Sequence, residues 1–154
     1  EEVTYPNNSL YEGLSGLFDV TLFTVEAEES SLTFSLKFNN LPNPLESPFG
    51  FTFPLIHIYV HTQPPGSYRV EKEGICSVIS NSKLSLDPRY SCSFMIELTG
   101  WQCNIKENSD LDYQCSVSTF NNTIQISIDN TLLSPKSYWS YSVMVGALDI
   151  FSSL

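Results

Sequence analysis

The hydrophobic pattern of the chain is clearest in two consecutive stretches, residues 31–38 (SLTFSLKF) and residues 49–61 (FGFTFPLIHIYVH), joined by the proline-rich NNLPNPLESP. In the first, Leu32, Phe34, Leu36 and Phe38 alternate with Ser31, Thr33, Ser35 and Lys37. That period of two predicts a strand with one buried and one wet face. The second is apolar at almost every position from Phe51 to Val60, which predicts a strand covered on both sides. Further strand-like runs fall at 17–26, 68–70, 75–79, 92–98, 101–105, 113–118, 123–129 and 138–145. In the 17–26 run the alternation changes phase near Leu22 and Phe23, as a bulge or a change of partner would produce. The EAEESS turn after it returns the chain into the 31–38 strand, and its three glutamates suit a solvated hairpin turn better than a cation site. One helical turn at most is expected, in DNTLLSPKS, where Asp129 or Asn130 would cap it and Pro135 would end it. Nine or ten short strands without a sustained helical period imply an all-β, antiparallel β-sandwich of immunoglobulin-like or jelly-roll-like type. Residues 1–16 read as an extended N-terminal arm, and 17–154 as the sandwich.

Length agrees with one domain able to bury its own core, at 154 residues. Only 16% of residues are charged, and the net charge is -10. That balance repels phosphate backbones, and no basic cluster offsets it, so nucleic acid is excluded as an expected partner. No apolar run reaches the roughly 20 residues needed to span a bilayer as a helix. The chain opens on Glu1 and Glu2 without a leader pattern, so a leader or anchor is expected to have been removed had one existed.

Cys76, Cys92, Cys103 and Cys115 form an even set with no CxxC pair. The spacing disfavours zinc and allows three disulfide connectivities. Pairing Cys76 with Cys92 and Cys103 with Cys115 makes each pair bracket a polar loop between strand-like runs; four buried thiols are the alternative. Disulfides, together with the sequons at Asn7 and Asn121, point to an extracellular, glycosylated protein.

The order of TYPNN, GLFDVTLFTVE, NLPNPLESPFGFTFPLIHIYVHT, LTGW and YWSYSVMVGALD resembles the domain at the C-terminus of glucodextranase and related amylolytic enzymes, an SLH-like binding module. That family resembles in turn the DOMON and family-9 carbohydrate-binding β-sandwiches. The likeness covers nearly the whole chain, and its most specific part runs from Asn43 to Phe51. It implies a non-catalytic extracellular module associated with a cell surface or with polysaccharide. The four cysteines depart from the family pattern. DOMON relatives hold haem between His and Met ligands, which nominates Met95 and Met144, although core packing is the simpler use of both.

His57 and His61 stand i, i+4. On a strand they are ~13 Å apart, too far to share an ion. His57 is therefore expected as a hydrogen-bonded core residue and His61 at the strand end. No metal site is predicted; calcium is conceivable in such sandwiches but no loop motif supports it. No nucleophile, zincin, P-loop or dinucleotide motif is present, and Asp110 and Asp112 fall in a loop with nothing to set a glycosidase separation, so no enzyme activity is expected. Sugar-stacking candidates are Trp101, Tyr68 and Tyr90, with Trp101, between Gly100 and Cys103, foremost; Trp139 and Tyr141 share a strand face with Val143 and Val145 that reads as core. The first expectation for function is a cell-surface structural or assembly subunit, a filament or envelope component, joined to copies of itself or to other surface proteins by strand addition. It is motivated by the arm, the apolar C-terminal strand and the lack of a catalytic domain ahead of Glu1. The alternative is a module recognising an α-glucan or cell-wall polysaccharide.

If both disulfides form, the unreduced, denatured protein takes up no alkylating reagent and the reduced protein takes up four equivalents, as read by intact mass. Each loop closed would contribute about 3 kcal/mol.

Overall fold

A computed structural model describes residues 11, 14–61, 92, 94–107, 113–129 and 140–148. Nine strands occur among them: β1 (Val20–Ala27), β2 (Ser31–Phe38), β3 (Pro54–His61), β4 (Phe94–Leu98), β5 (Cys103–Glu107), β6 (Tyr113–Gln114), β7 (Ser116–Phe120), β8 (Thr123–Asp129) and β9 (Ser140–Ala147). They build a four-stranded sheet in the order β1-β2-β8-β7 and a five-stranded sheet in the order β6-β5-β4-β3-β9. Every pairing is antiparallel. The expected β-sandwich is thus the observed fold. The 68–70 and 75–79 runs, and the expected helical turn, lie outside the described residues.

Strand periodicity decides the core. On β2, Leu32, Phe34, Leu36 and Phe38 are buried, and on β8 so are Ile124, Ile126 and Ile128. They meet Ile56, Ile58 and Val60 of β3 and Phe94, Ile96 and Leu98 of β4 in one apolar cluster. Burying side chains of this size is worth roughly 1.5–3 kcal/mol each. A slip of one residue in either strand would turn the whole set to water. The bulge expected in the first strand is present as a register irregularity between Val20 and Leu22.

Two boundaries differ from expectation. The strand read from Phe49 begins only at Pro54, because residues 49–53 are irregular and Gly50 sits at φ 81°. The run read as 113–118 is split at Cys115, where the chain passes from the five-stranded sheet to the four-stranded one. Cys103 and Cys115 are disulfide-bonded, with Cα atoms 5.8 Å apart, which fastens the start of β5 to that crossover. Cys92 is also disulfide-bonded; Cys76, its expected partner, lies outside the described residues.

Of the expected arm, Tyr11 and Leu14 pack against a second cluster of Leu17, Phe18 and Phe53. The Tyr11 ring meets Phe18 and Phe53 edge-on, and its hydroxyl donates to the Leu148 carbonyl at 3.3 Å. Among the described residues no helix is long and apolar enough to cross a membrane.

Candidate functional site

The loop joining β2 to β3 is closed by its own side chains. Asn43 Oδ1 accepts from the Ser47 amide at 2.9 Å and from Thr52 Oγ1 at 2.9 Å, while Asn43 Nδ2 donates to the Ser47 carbonyl at 3.1 Å. Thr52 Oγ1 in turn accepts from the Leu45 amide. Ser47 Oγ donates to the Phe51 carbonyl and accepts from the Phe51 amide. A turn with buried polar backbone needs such partners, because each unmet group costs about 1–3 kcal/mol. Asn43, Ser47 and Gly50 of the NPLESPFGF segment are therefore there to hold a loop shape.

That loop anchors two neighbouring turns. The Phe49 amide donates to the Gly100 carbonyl at 3.1 Å in the β4–β5 turn. A Cβ on Gly100 would stand 2.0 Å from the Phe51 carbonyl oxygen and 2.7 Å from Ser47 Oγ, so only glycine lets the turn seat on the loop. On the other side, Thr119 Oγ1 of β7 donates to the Phe49 carbonyl at 2.6 Å. The β7–β8 hairpin closes through Asn121 and Asn122, both at positive φ, the geometry of a tight two-residue turn. Asn122 Nδ2 donates to the Asn39 carbonyl at 3.3 Å.

These contacts bring large apolar side chains to one end of the sandwich in water. Trp101 is 37% exposed in the β4–β5 turn, where its amide and that of Gln102 donate to Thr99 Oγ1. Phe120 is 76% exposed at the tip of β7, and Leu45 is exposed in the loop between them. Leu22, also exposed, pairs with Lys37 near the same end. Of the sugar-stacking candidates, Trp101 lies here; Tyr68 and Tyr90 lie outside the described residues. Tyr141 is at the opposite end of β9, beside the Phe23 ring, and is 43% exposed rather than core, while Val143 and Val145 do pack on the core. Trp139, Asn7, Asp110 and Asp112 are outside the described residues, and Asn121 is exposed on its hairpin. Phe120 is not among the sequence candidates: its spacing puts it on one face with Ser116 and Ser118, and the strand order turns that face to water.

The outer face of the five-stranded sheet carries an ionic group built on Glu97. His57 is buried and its Nδ1 lies 3.2 Å from Tyr59 Oη, as a hydrogen-bonded histidine should. His61, also buried, is the last residue of β3. Glu97 receives two 3.1 Å hydrogen bonds from Lys106 Nζ and lies 3.5 Å from His57 Nε2. The His57 ring, and then Lys106, hold the Glu97 carboxyl down at about 2 against the opposing effect of burial. The Lys106 bonds are the firmer of the two contacts, since His57 Nε2 makes no aligned hydrogen bond. Burial, and then the Glu97 charge, push the Tyr59 hydroxyl up.

Met144 is the cross-strand partner of His57, and Met95 that of Tyr59. Axial ligands must stand on opposite sides of a haem, whereas cross-strand neighbours have Cα atoms only about 4.5–5.5 Å apart and point the same way. The residues present do not fit that group, and Met95 and Met144 pack with Tyr59 and Cys92 instead. Among the described residues no three His, Cys, Asp or Glu side chains come together as metal ligands would.

The low Glu97 value predicts a pH dependence of fixed sign. A folded carboxylate held below its ordinary 4.5 contributes its full stability above that pH and loses it as the pH falls towards about 2. With Lys106 partly exposed, the loss over this window is about 1–2 kcal/mol. Urea unfolding at stepped pH should show it in the native protein and a flatter profile in Glu97→Gln. Gly100→Ala is expected to cost about 2–3 kcal/mol by overpacking, read as a fall in the urea midpoint with an unchanged slope.

Residues 2–154 match the family described as the C-terminal binding-module, SLH-like, of glucodextranase. No curated protein matches the chain. The family is a binding module rather than a catalytic domain, and its match spans the knitted loop and both anchored turns. The chain belongs to the family of SLH-like C-terminal binding modules of glucodextranase.

Proposed function

We propose that this chain is a non-catalytic extracellular module that binds polysaccharide at the loop end of its sandwich, with Trp101 as a sugar platform. The observation that carries the reading is the placement of Trp101 and Phe120, two exposed aromatic rings, on turns fastened to one hydrogen-bonded loop. Sugars present C–H faces that pack on aromatic rings, and a ring held on a rigid turn loses little freedom on binding. Family membership supports a binding role. The Cys103–Cys115 bond supports an oxidising environment. Asn121, exposed in a tight turn, is the residue for an N-linked glycan.

Assembly by strand addition, foremost in the sequence, becomes the second reading. Its support is β1, an eight-residue strand at a sheet edge that carries exposed Leu22. In such an assembly a second copy would pair along β1.

Native electrophoresis through gels containing dextran, starch or cell-wall glucan separates the readings. Retardation by at least one glucan is expected, reduced about tenfold in apparent affinity by Trp101→Ala, as loss of an aromatic anchor implies. Unretarded migration in every gel, with concentration-dependent filaments in electron micrographs, would replace the first reading by the second.

A further inference from the structure

The wet face of the four-stranded sheet carries Glu26 and Asp129 at its far end, but two rows nearer the loop end differ from an ordinary solvated face. Register places Thr24, Ser35, Gln125 and Ser118 side by side across all four strands. The neighbouring row, one pleat nearer the loop end, runs from Leu22 through Lys37 to Phe120. With strands about 4.8 Å apart, each row is about 14 Å long. The first row holds three hydroxyls and an amide, all of which both donate and accept, and no ionised group. The second holds Lys37 as its one charge, and ends on the most exposed of the large apolar side chains, Phe120.

Solubility alone does not account for this choice. The chain carries a net charge of -10, yet these two rows hold no carboxylate. β7 lies at a sheet edge, where lysine or glutamate ordinarily blocks pairing with another chain, and its sequence SVSTF has no charge at all. Phe120 belongs to neither sandwich cluster, so folding gains little from its ring.

We propose that this face docks a neutral polysaccharide chain lying across the strands, with one sugar stacked on Phe120 and its successors hydrogen-bonded along the row from Ser118 and Gln125 to Ser35. The ligand is neutral because these two rows match it in charge: hydroxyls exchange hydrogen bonds with hydroxyls, and Lys37 is the one ion to be stripped of water there. An acidic polysaccharide would have Lys37 as its one counter-charge and would face the field of an anionic protein. The inference rests on the polysaccharide-binding reading, and adds to it a surface and a substrate class.

Isothermal titration and native affinity gels with dextran and a neutral β-glucan, and with polygalacturonate as the acidic probe, test it. Phe120→Ala is expected to weaken the neutral ligand about tenfold, and Gln125→Glu, an exposed change of charge at nearly constant size, several-fold. Polygalacturonate is expected not to bind. Both variants should keep the native thermal midpoint, so a loss of binding reads the surface and not the fold. Native affinity in both variants alongside a loss in Trp101→Ala would overturn this surface and leave the general reading standing. Absence of binding by the native protein to every glucan would overturn both. Tighter binding of polygalacturonate than of the neutral glucans would overturn the ligand class. A change in sedimentation with Phe120→Ala and none in glucan affinity would assign the face to contact between copies instead.

Discussion

Ser47 Oγ gives a hydrogen bond to the Phe51 carbonyl and takes one from the Phe51 amide, and through this exchange a proline-rich connection becomes a fixed object. Three prolines in ten residues, Pro42, Pro44 and Pro48, remove amides that would otherwise need partners and limit the backbone angles available. Asn43 and Thr52 satisfy most of what is left. The loop can then serve as a seat: Gly100 lies against Phe51 with no room for a methyl group, and Thr119 reaches the Phe49 carbonyl from the opposite sheet. Through it, the β4–β5 turn and the β7–β8 hairpin, which belong to different sheets, are tied to one residue, Phe49.

The two outer faces of the sandwich divide the chemistry between them. On the five-stranded sheet, the described side chains His57, Tyr59, Glu97 and Lys106 are committed to each other: His57 to Tyr59, Lys106 to Glu97. That arrangement contributes stability. On the four-stranded sheet most polar side chains are short hydroxyls and one amide, with Glu26, Lys37 and Asp129 as the charges of that face, and the Thr33 and Ser127 hydroxyls lie 3.0 Å apart as a cross-strand pair. A surface of that kind recognises by many weak hydrogen bonds and by stacking, so a binding role suits it better than catalysis does.

Edge protection links this surface to the fold. β1 and β7 bound the four-stranded sheet, and neither places a lysine on its outer face. The asparagine turn and the Cys103–Cys115 crossover confine β7 to five residues between two tight bends, which shortens the edge it presents. β1 is longer, and its irregularity at Val20 and Leu22 interrupts the register at one end only, so the rest of this edge stays regular.

Strict alternation made β2 and β8 legible from residues alone, because a half-buried strand writes its two environments into alternate positions. The bulge in β1 and the Cys103–Cys115 pairing could be read for similarly local reasons. The start of β3 could not: Phe49, Phe51 and Phe53 are apolar because they line the buried side of a loop, and apolarity does not distinguish that from a strand. Nor could the site. Period-two spacing assigns Phe120 to the same face as Ser116 and Ser118, but whether that face lies in water or under a second sheet depends on strand order. Gly100 could be noted in the sequence only as a glycine before a tryptophan. Its meaning lies in the Phe51 carbonyl, forty-nine residues away and 2.0 Å from where a Cβ would stand. The sequence by itself determined which positions of β2 and β8 are buried, since that follows from local periodicity. Which exposed aromatics share an end, and what holds them there, was decided by tertiary contacts between residues far apart in the chain.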